Sequence, residues 1–205
     1  MGTDAAQPFE DLFFSTEKFR TGSVTEYYNE ISGGKISLNG EVISPLRMPC
    51  ALPAYANGNS GMTDDTPNAQ TMTVGALDAL RGQVNLDQYD NDRNGYVDAF
   101  IMVHAGQGAE QTVSKDDIWS LKWTIPNAIL LNDTSIFAFF TTPEDATIGV
   151  AAHELCHLVF GWPDLYDVDY SSEGVGNWCL MAGGVWSGLP PGFKPCHHSA
   201  WCKLT

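Results

Sequence analysis

Residues 153–157, His-Glu-Leu-Cys-His, decide how this chain is read. In a helix, His153 and His157 stand about 40° apart around the axis, at 3.6 residues per turn. Both imidazoles can then reach one metal ion from a single face, with the Glu154 carboxylate beside them. This is the H-E-x-x-H arrangement: two neutral nitrogen ligands for zinc and a base for the attacking water. The flanks predict the helix itself. Thr142-Pro143-Glu144-Asp145 predicts its start, with a Thr N-cap, Pro at the first helical position and an acid three residues after the cap. Ile148, Ala151, Ala152, Leu155, Leu158 and Val159 supply an apolar stripe, leaving His153, Glu154 and His157 to face a cleft. Gly161 and Pro163 end the helix.

A catalytic zinc takes three protein ligands and keeps one position open. The other histidines are His104, His197 and His198. Gly161-Trp162-Pro163-Asp164 is similar to the metzincin-like pattern, in which a glycine turns the chain back under the metal and the third residue after it is a ligand. Asp164 has that relation to Gly161, and an Asp oxygen is a legitimate zinc ligand. Asp167 and Glu173 are the alternatives. Further on, Met181 sits in Asn177-Trp178-Cys179-Leu180-Met181-Ala182-Gly183-Gly184, where a Met in a tight turn would form an apolar floor beneath the histidines. Asp167 or backbone carbonyls are candidate partners for the imidazole N–H groups. Tyr166, Tyr170, His197 and His198 are candidates for stabilising an oxyanion. Cys156 differs in helical direction from both histidines by about 60° or more, so it is expected to be a small buried residue rather than a ligand.

Residues 90–98 carry a second constellation. Asp90, Asp92 and Asn94 place oxygens at alternate positions, and Gly95 permits the sharp turn that follows, as in the first half of a calcium loop. The Tyr96 carbonyl and Asp98 would complete that half. An EF-hand requires a Glu at the twelfth position, where Ile101 stands, so a carboxylate from elsewhere would have to close the site; Glu110 is the candidate. The competing reading is a polar turn ahead of a strand.

The chain has 205 residues, with 43% hydrophobic and 17% charged content, which is globular composition. Its formal net charge of −15 argues against nucleic acid or an anionic membrane as partner and is compatible with bound divalent cations. No apolar run is long enough to span a bilayer, and no signal peptide is evident. Met1-Gly2 ahead of a polar stretch suggests a trimmed domain whose targeting segment is missing. The five cysteines, Cys50, Cys156, Cys179, Cys196 and Cys202, show no C-x-x-C spacing. Cys196 and Cys202 could close a short disulfide, but an odd count leaves at least one thiol over.

Along the chain, residues 24–31 predict a helix, and 35–47 predict two short strands around the Asn39-Gly40 turn signal. Residues 49–68 predict a long loop, and 69–84 a helix carrying Met72, Ala76, Leu77 and Leu80. Phe100 to Val103 and Ile136 to Thr141 predict buried strands.

Several stretches resemble the immune inhibitor A type of secreted zinc metallopeptidases: HELCHLVFGWPDLYD (153–167), GVGNWCLMAGGVWSG (174–188), YDNDRNGYVDAFIMVHAGQGAE (89–110), DIWSLKW (117–123) and EDLFFSTEKFRTGSVTEYYNEISGGKISLNGEV (10–42). The resemblance implies an α+β, metzincin-like peptidase domain with a mixed sheet. It also implies peptide-bond hydrolysis on protein or peptide substrates, catalytic zinc, structural calcium and an extracellular location. Three departures stand out. Family members often have Gly where Cys156 stands. Many place the glycine one residue nearer the second histidine, so Phe160 acts as an insertion. Some carry a Glu where Gly176 stands, and that Glu is a possible zinc ligand in them.

The expected organisation is one catalytic domain over 1–205. An upper subdomain of about 1–161 would carry the zinc helix, and an irregular lower one of about 162–205 would leave the cleft between them. The expected activity is zinc-dependent endopeptidase, with His153, His157 and Asp164 on the metal and Glu154 as general base and acid. Two other classes are a calcium-stabilised, non-catalytic binding or adhesion module with a vestigial zinc site, and a zinc hydrolase of a non-peptide amide.

Overall fold

The computed structural model describes residues 5–43, 45–169 and 171–204. In chain order the elements are α1 (Gln7–Phe14), α2 (Val24–Ile31), α3 (Leu52–Ala56), α4 (Ala69–Ala79), β1 (Ile101–His104), α5 (Ala109–Thr112), β2 (Leu121–Leu131), β3 (Thr134–Pro143), α6 (Ile148–Val159) and α7 (Ala200–Leu204). Short 3₁₀ turns occur at Asp87–Tyr89, Gly176–Trp178 and Gly183–Trp186. The class is α+β with a small mixed sheet. Contacts group the chain into two compact units, Met1–Pro45 with Thr147–Thr205, and Leu46–Ala146. The unit boundaries therefore fall at 45/46 and 146/147 rather than near 161, because α6 packs on both α2 and the 183–186 turn.

The second unit is built on the sheet, in the order β1-β3-β2, with β1 parallel and β2 antiparallel to β3. β2 and β3 form a hairpin closed by Asn132-Asp133, with Leu131 opposite Thr134 and Asn132 at φ 59°. The β2 register slips between Thr124 and Ile129, around Pro126, which cannot donate to the ladder. α4 starts on a reciprocal capping box between Asn68 and Thr71 and packs against β2. Between them Leu77, Leu86, Ile125, Leu131, Ile136 and Phe139 form the core.

In the first unit, α6 is the central element. Its first nine residues, Ile148 to Cys156, are all buried, so it is apolar nearly all round rather than striped. α2 packs across it, and the Tyr28 hydroxyl donates to the Ala152 carbonyl at 2.6 Å. Close approach on another side depends on glycine. Gly149 N–H donates to the Gly192 carbonyl at 2.8 Å, and a Cβ at Gly149 would lie 2.0 Å from the Val185 carbonyl oxygen.

Three sequence expectations are corrected. The α6 N-cap is Thr147, whose hydroxyl faces Val150 N–H; Thr142 and Pro143 instead finish β3, opposite Val103 and His104. Among the described residues of 35–47 there is no strand. The N–H groups of Lys35 and Ile36 go to Ser32 Oγ, that of Leu38 to Thr25 Oγ1 and that of Val42 to Glu10, so no partner strand is needed. The 49–68 loop contains α3. Among the described residues no helix is long and apolar enough to cross a membrane.

Two glycine substitutions separate packing from backbone strain. Gly149→Ala is expected to destabilise by about 3 kcal/mol, because rigid backbone stands in the way. Gly161, at φ 66° past the end of α6, has open space around its Cβ position. There the cost is conformational, about 1 kcal/mol for Ala. Chemical denaturation of both variants checks the ranking.

Candidate metal centre

One turn of α6 places the two imidazoles edge to face, with ring centroids 4.6 Å apart. Their Nε2 atoms are 3.0 Å apart, and Asp164 Oδ1 lies 3.1 Å from His153 Nε2 and 3.2 Å from His157 Nε2. Gly161 makes this possible: its left-handed φ reverses the chain at the end of α6 and brings Asp164 back under the helix. Phe160 becomes the helix C-cap and stacks on Trp162 at 4.8 Å.

The remaining ring nitrogens determine what this triangle is. His153 Nδ1 lies 3.0 Å from the Leu180 carbonyl, and His157 Nδ1 meets the Trp162 carbonyl. A carbonyl only accepts, so each Nδ1 must carry the proton and each neutral ring presents a bare lone pair at Nε2. Two imidazole lone pairs and a carboxylate oxygen then converge at about 3 Å with no proton among them. Such a cluster is stable only around positive charge. A tetrahedral zinc with bonds of about 2.0–2.1 Å sets its ligand atoms about 3.3 Å apart, close to the separations found. Zinc fits.

The titration behaviour agrees. Burial presses the Asp164 carboxyl upward, but the two imidazoles outweigh it and hold the group well below the usual carboxylate range. His157 is raised: burial works against its charge, and the Asp164 contact with the Glu154 and Asp164 charges overcomes this. Both shifts belong to the metal-free site, where a proton on Nε2 supplies the positive charge that the converging atoms require. Glu154 is 6% exposed on the same helix, one residue from His153.

The other candidates lie elsewhere. Asp167 accepts from the Ser171 and Ser172 hydroxyls, each at 2.8 Å, and from Asp169 N–H. These bonds lower its pKa to about 2. Glu173 is exposed and stands outside the converging group. His197 Nε2 pairs with Glu30 Oε1 at 3.0 Å on the surface. His198 is buried against Trp162, Tyr27 and Tyr28, with Nε2 3.0 Å from Cys156 Sγ. Neither histidine joins the triangle. His104 belongs to the other unit, buried at the end of β1. Tyr166 is 44% exposed, two residues past Asp164, while Tyr170 lies outside the described residues. Met181 is fully buried, and its carbonyl accepts from Leu165 N–H at 2.7 Å. Cys156 is buried, as expected, with its sulfur 2.9 Å from the Tyr28 hydroxyl. Cys196 faces the Asn177 carbonyl and Cys202 faces Cys179, so the short Cys196–Cys202 bridge is not the pairing this geometry offers.

In the 90–98 loop, Asp90, Asp92 and Asp98 offer carboxylate oxygens within 4.8 Å of one another. Asp90 accepts from Asn94 and Gly95 N–H, and Asn94 Oδ1 from Tyr96 N–H, so the side chains already curl inward around the turn. Val97 N–H donates to the Ser135 carbonyl and Ser135 N–H to the Gly95 carbonyl, fastening the loop to β3. Glu110 does not join it: both its oxygens are held by Ser120, through N–H and hydroxyl.

The residues match, over 5–204, the family profile described as Immune inhibitor A peptidase M6, catalytic domain. The chain belongs to the immune inhibitor A peptidase family. It corresponds to the catalytic domain of these metallopeptidases, which are hydrolases. It is 32% identical over 232 residues to Immune inhibitor A of Bacillus thuringiensis subsp. alesti, covering 93% of this chain and 33% of that protein. It is also 31% identical over 234 residues to Pre-pro-metalloprotease PrtV of Vibrio cholerae serotype O1 (strain M66-2), covering 95% of this chain and 25% of that protein. The chain thus spans a third or less of the length of these relatives.

His198 supplies a pH test. Burial, with the Lys203 and His197 charges, lowers its pKa to about 4, so the folded state holds it neutral. The unfolded chain takes up a proton near pH 6.5, so this contribution is complete above that pH and is lost as pH falls toward 4. In metal-free protein it amounts to about 3 kcal/mol between those limits. Denaturation of the wild type and of His198→Gln at pH 7 and pH 4.5 should show this part of the slope only in the wild type.

Proposed function

We propose that the chain is a zinc-dependent endopeptidase domain of metzincin-like architecture. His153, His157 and Asp164 hold the metal, and Glu154 acts as general base and acid. The observation that carries the proposal is the convergence of two imidazole lone pairs and one carboxylate oxygen, each imidazole aimed by a backbone carbonyl. When bound, zinc supplies a Lewis acid that acidifies water and polarises the scissile carbonyl. Glu154 takes the proton of the attacking water and passes it to the leaving amine. The Leu180 and Trp162 carbonyls keep both rings in the one tautomer that leaves Nε2 free for the metal. Met181, buried beside Leu180, is the apolar floor of the site. For oxyanion stabilisation Tyr166 is the preferred candidate, since His197 and His198 are engaged with Glu30 and Cys156.

Protein or peptide substrates are supported by the family's description as a peptidase and by the relative named a metalloprotease. An extracellular location is supported by the relative described as a pre-pro-metalloprotease. A structural calcium in the loop of Asp90, Asp92, Asn94, Tyr96 and Asp98 completes the proposal, with the hard oxygens of three carboxylates as its core.

Glu154→Gln should retain one equivalent of zinc by elemental analysis while kcat/KM on a peptide substrate falls by about 10²–10⁴-fold. Retained peptidase activity would contradict the role. A chelator should abolish wild-type activity, and zinc should restore it.

For the loop, calcium should raise the melting temperature of the wild type. Asp92→Asn should diminish that gain, leaving the calcium-free melting temperature unchanged. An equal calcium response in both proteins would remove the site.

A further inference from the structure

Two of the five thiols are in contact. Cys179 Sγ and Cys202 Sγ lie 3.9 Å apart, and their residues are 0% and 1% exposed. We infer that Cys179 and Cys202 form a disulfide in the mature protein, fastening α7 to the segment that holds His153 Nδ1.

The surroundings select this pair. Ser199 precedes α7 and touches both sulfurs: its N–H donates to Cys179 Sγ at 3.2 Å, and its hydroxyl lies 3.4 Å from Cys202 Sγ. Leu180 N–H donates to the His197 carbonyl, so the two segments already run side by side where the bridge would form. A sulfur pair at van der Waals contact reaches bonding distance of about 2.05 Å through small side-chain rotations. The other thiols are committed elsewhere. Cys156 Sγ stands between the Tyr28 hydroxyl and His198 Nε2. Cys196 Sγ donates to the Asn177 carbonyl at 3.0 Å and lies 3.2 Å from Ser187 Oγ. Cys50 is exposed and belongs to the other unit.

The chemistry is thiol–disulfide exchange with a small-molecule disulfide, such as oxidised glutathione, or with an oxidised dithiol catalyst. The Cys202 thiolate attacks one sulfur of that disulfide, forming a mixed disulfide and releasing one thiolate. The Cys179 thiolate then attacks the Cys202 sulfur of the mixed disulfide and releases the second. Two protein thiols and one external disulfide become one protein disulfide and two external thiols, which carry away the two protons. Burial pushes the Cys202 thiol up, which disfavours its thiolate in the folded protein, so exchange belongs to the period before α7 packs down.

The bridge closes a 23-residue separation around the 183–186 turn. Cys179 directly precedes Leu180, whose carbonyl sets the His153 tautomer, and Met181 beyond it. A covalent tie there restrains the floor of the metal centre, and the inference stands whether or not the chain is catalytic.

The test is peptide mapping of the chain secreted through an oxidising compartment. Free thiols are alkylated in denaturant without reduction before digestion and mass spectrometry. The expected result is one crosslinked pair, Cys179 with Cys202, and alkylated Cys50, Cys156 and Cys196. Reduction of the folded protein, or Cys202→Ser, should lower the melting temperature by about 5–10 °C, and Cys196→Ser should keep the crosslink. Five alkylated cysteines, or Cys202 joined to Cys196 or Cys50, would overturn the inference. The wild-type map decides this even if Cys202→Ser fails to fold.

Discussion

Two imidazole lone pairs and a carboxylate oxygen held about 3 Å apart repel one another, and the structure nevertheless drives them together. The restraint comes from two backbone carbonyls, Leu180 and Trp162, which fix the protons on the far sides of the rings. Each carbonyl has its own support. Leu180 is fully buried beside Met181, in a segment that also binds Leu165 N–H. Trp162 is wedged between Phe160 and His198. A cation relieves the repulsion and turns all of this preorganisation into binding energy.

The same constraint explains the burial of α6. A helix that holds two imidazoles in fixed register with a carboxylate must not rock, and α6 is locked from several sides at once. Tyr28 bonds its Ala152 carbonyl, the 183–186 turn lies against Gly149, and Gly192 meets both Gly149 and the Thr147 cap. Small residues at Gly149, Ala151 and Ala152 let these neighbours approach. The cost is a pair of polar residues, His153 and Glu154, at 9% and 6% exposure. Under the proposed function, a bound metal offsets that cost for the histidine and a general-base role accounts for the glutamate.

Much of the candidate site's geometry was legible in the sequence because it rides on side chains at fixed helical spacing. His153 and His157 follow from a four-residue interval, and Asp164 from a glycine three residues before it. The aspartates of the 90–98 loop follow from alternation. The imidazole acceptors could not be named in advance, since a carbonyl carries no residue identity. Only tertiary packing brings Leu180 under His153. His198 misled for a similar reason: a histidine in a peptidase invites a catalytic reading, yet this one is a packing residue of the α6 environment.

Errors in the fold have equally local causes. Thr142-Pro143 has the grammar of a helix start, but pairing of β3 with β1 claims those residues, and the cap falls to Thr147. The Asn39-Gly40 signal promised a hairpin, and side-chain acceptors from Thr25, Ser32 and Glu10 took the backbone donors instead. β2 escaped notice because Pro126 and the bulge around it break the alternation that marks a strand. In each case tertiary pairing or side-chain hydrogen bonding overrode a sound local signal.

The central claim is that the convergence of His153, His157 and Asp164 exists to hold zinc. Anomalous diffraction measured on both sides of the zinc absorption edge tests it most directly. The account predicts one zinc peak within about 2.2 Å of His153 Nε2, His157 Nε2 and Asp164 Oδ1. A peak ligated by Glu173 or Asp167 in place of Asp164, or no zinc while the three atoms stay converged, would contradict it.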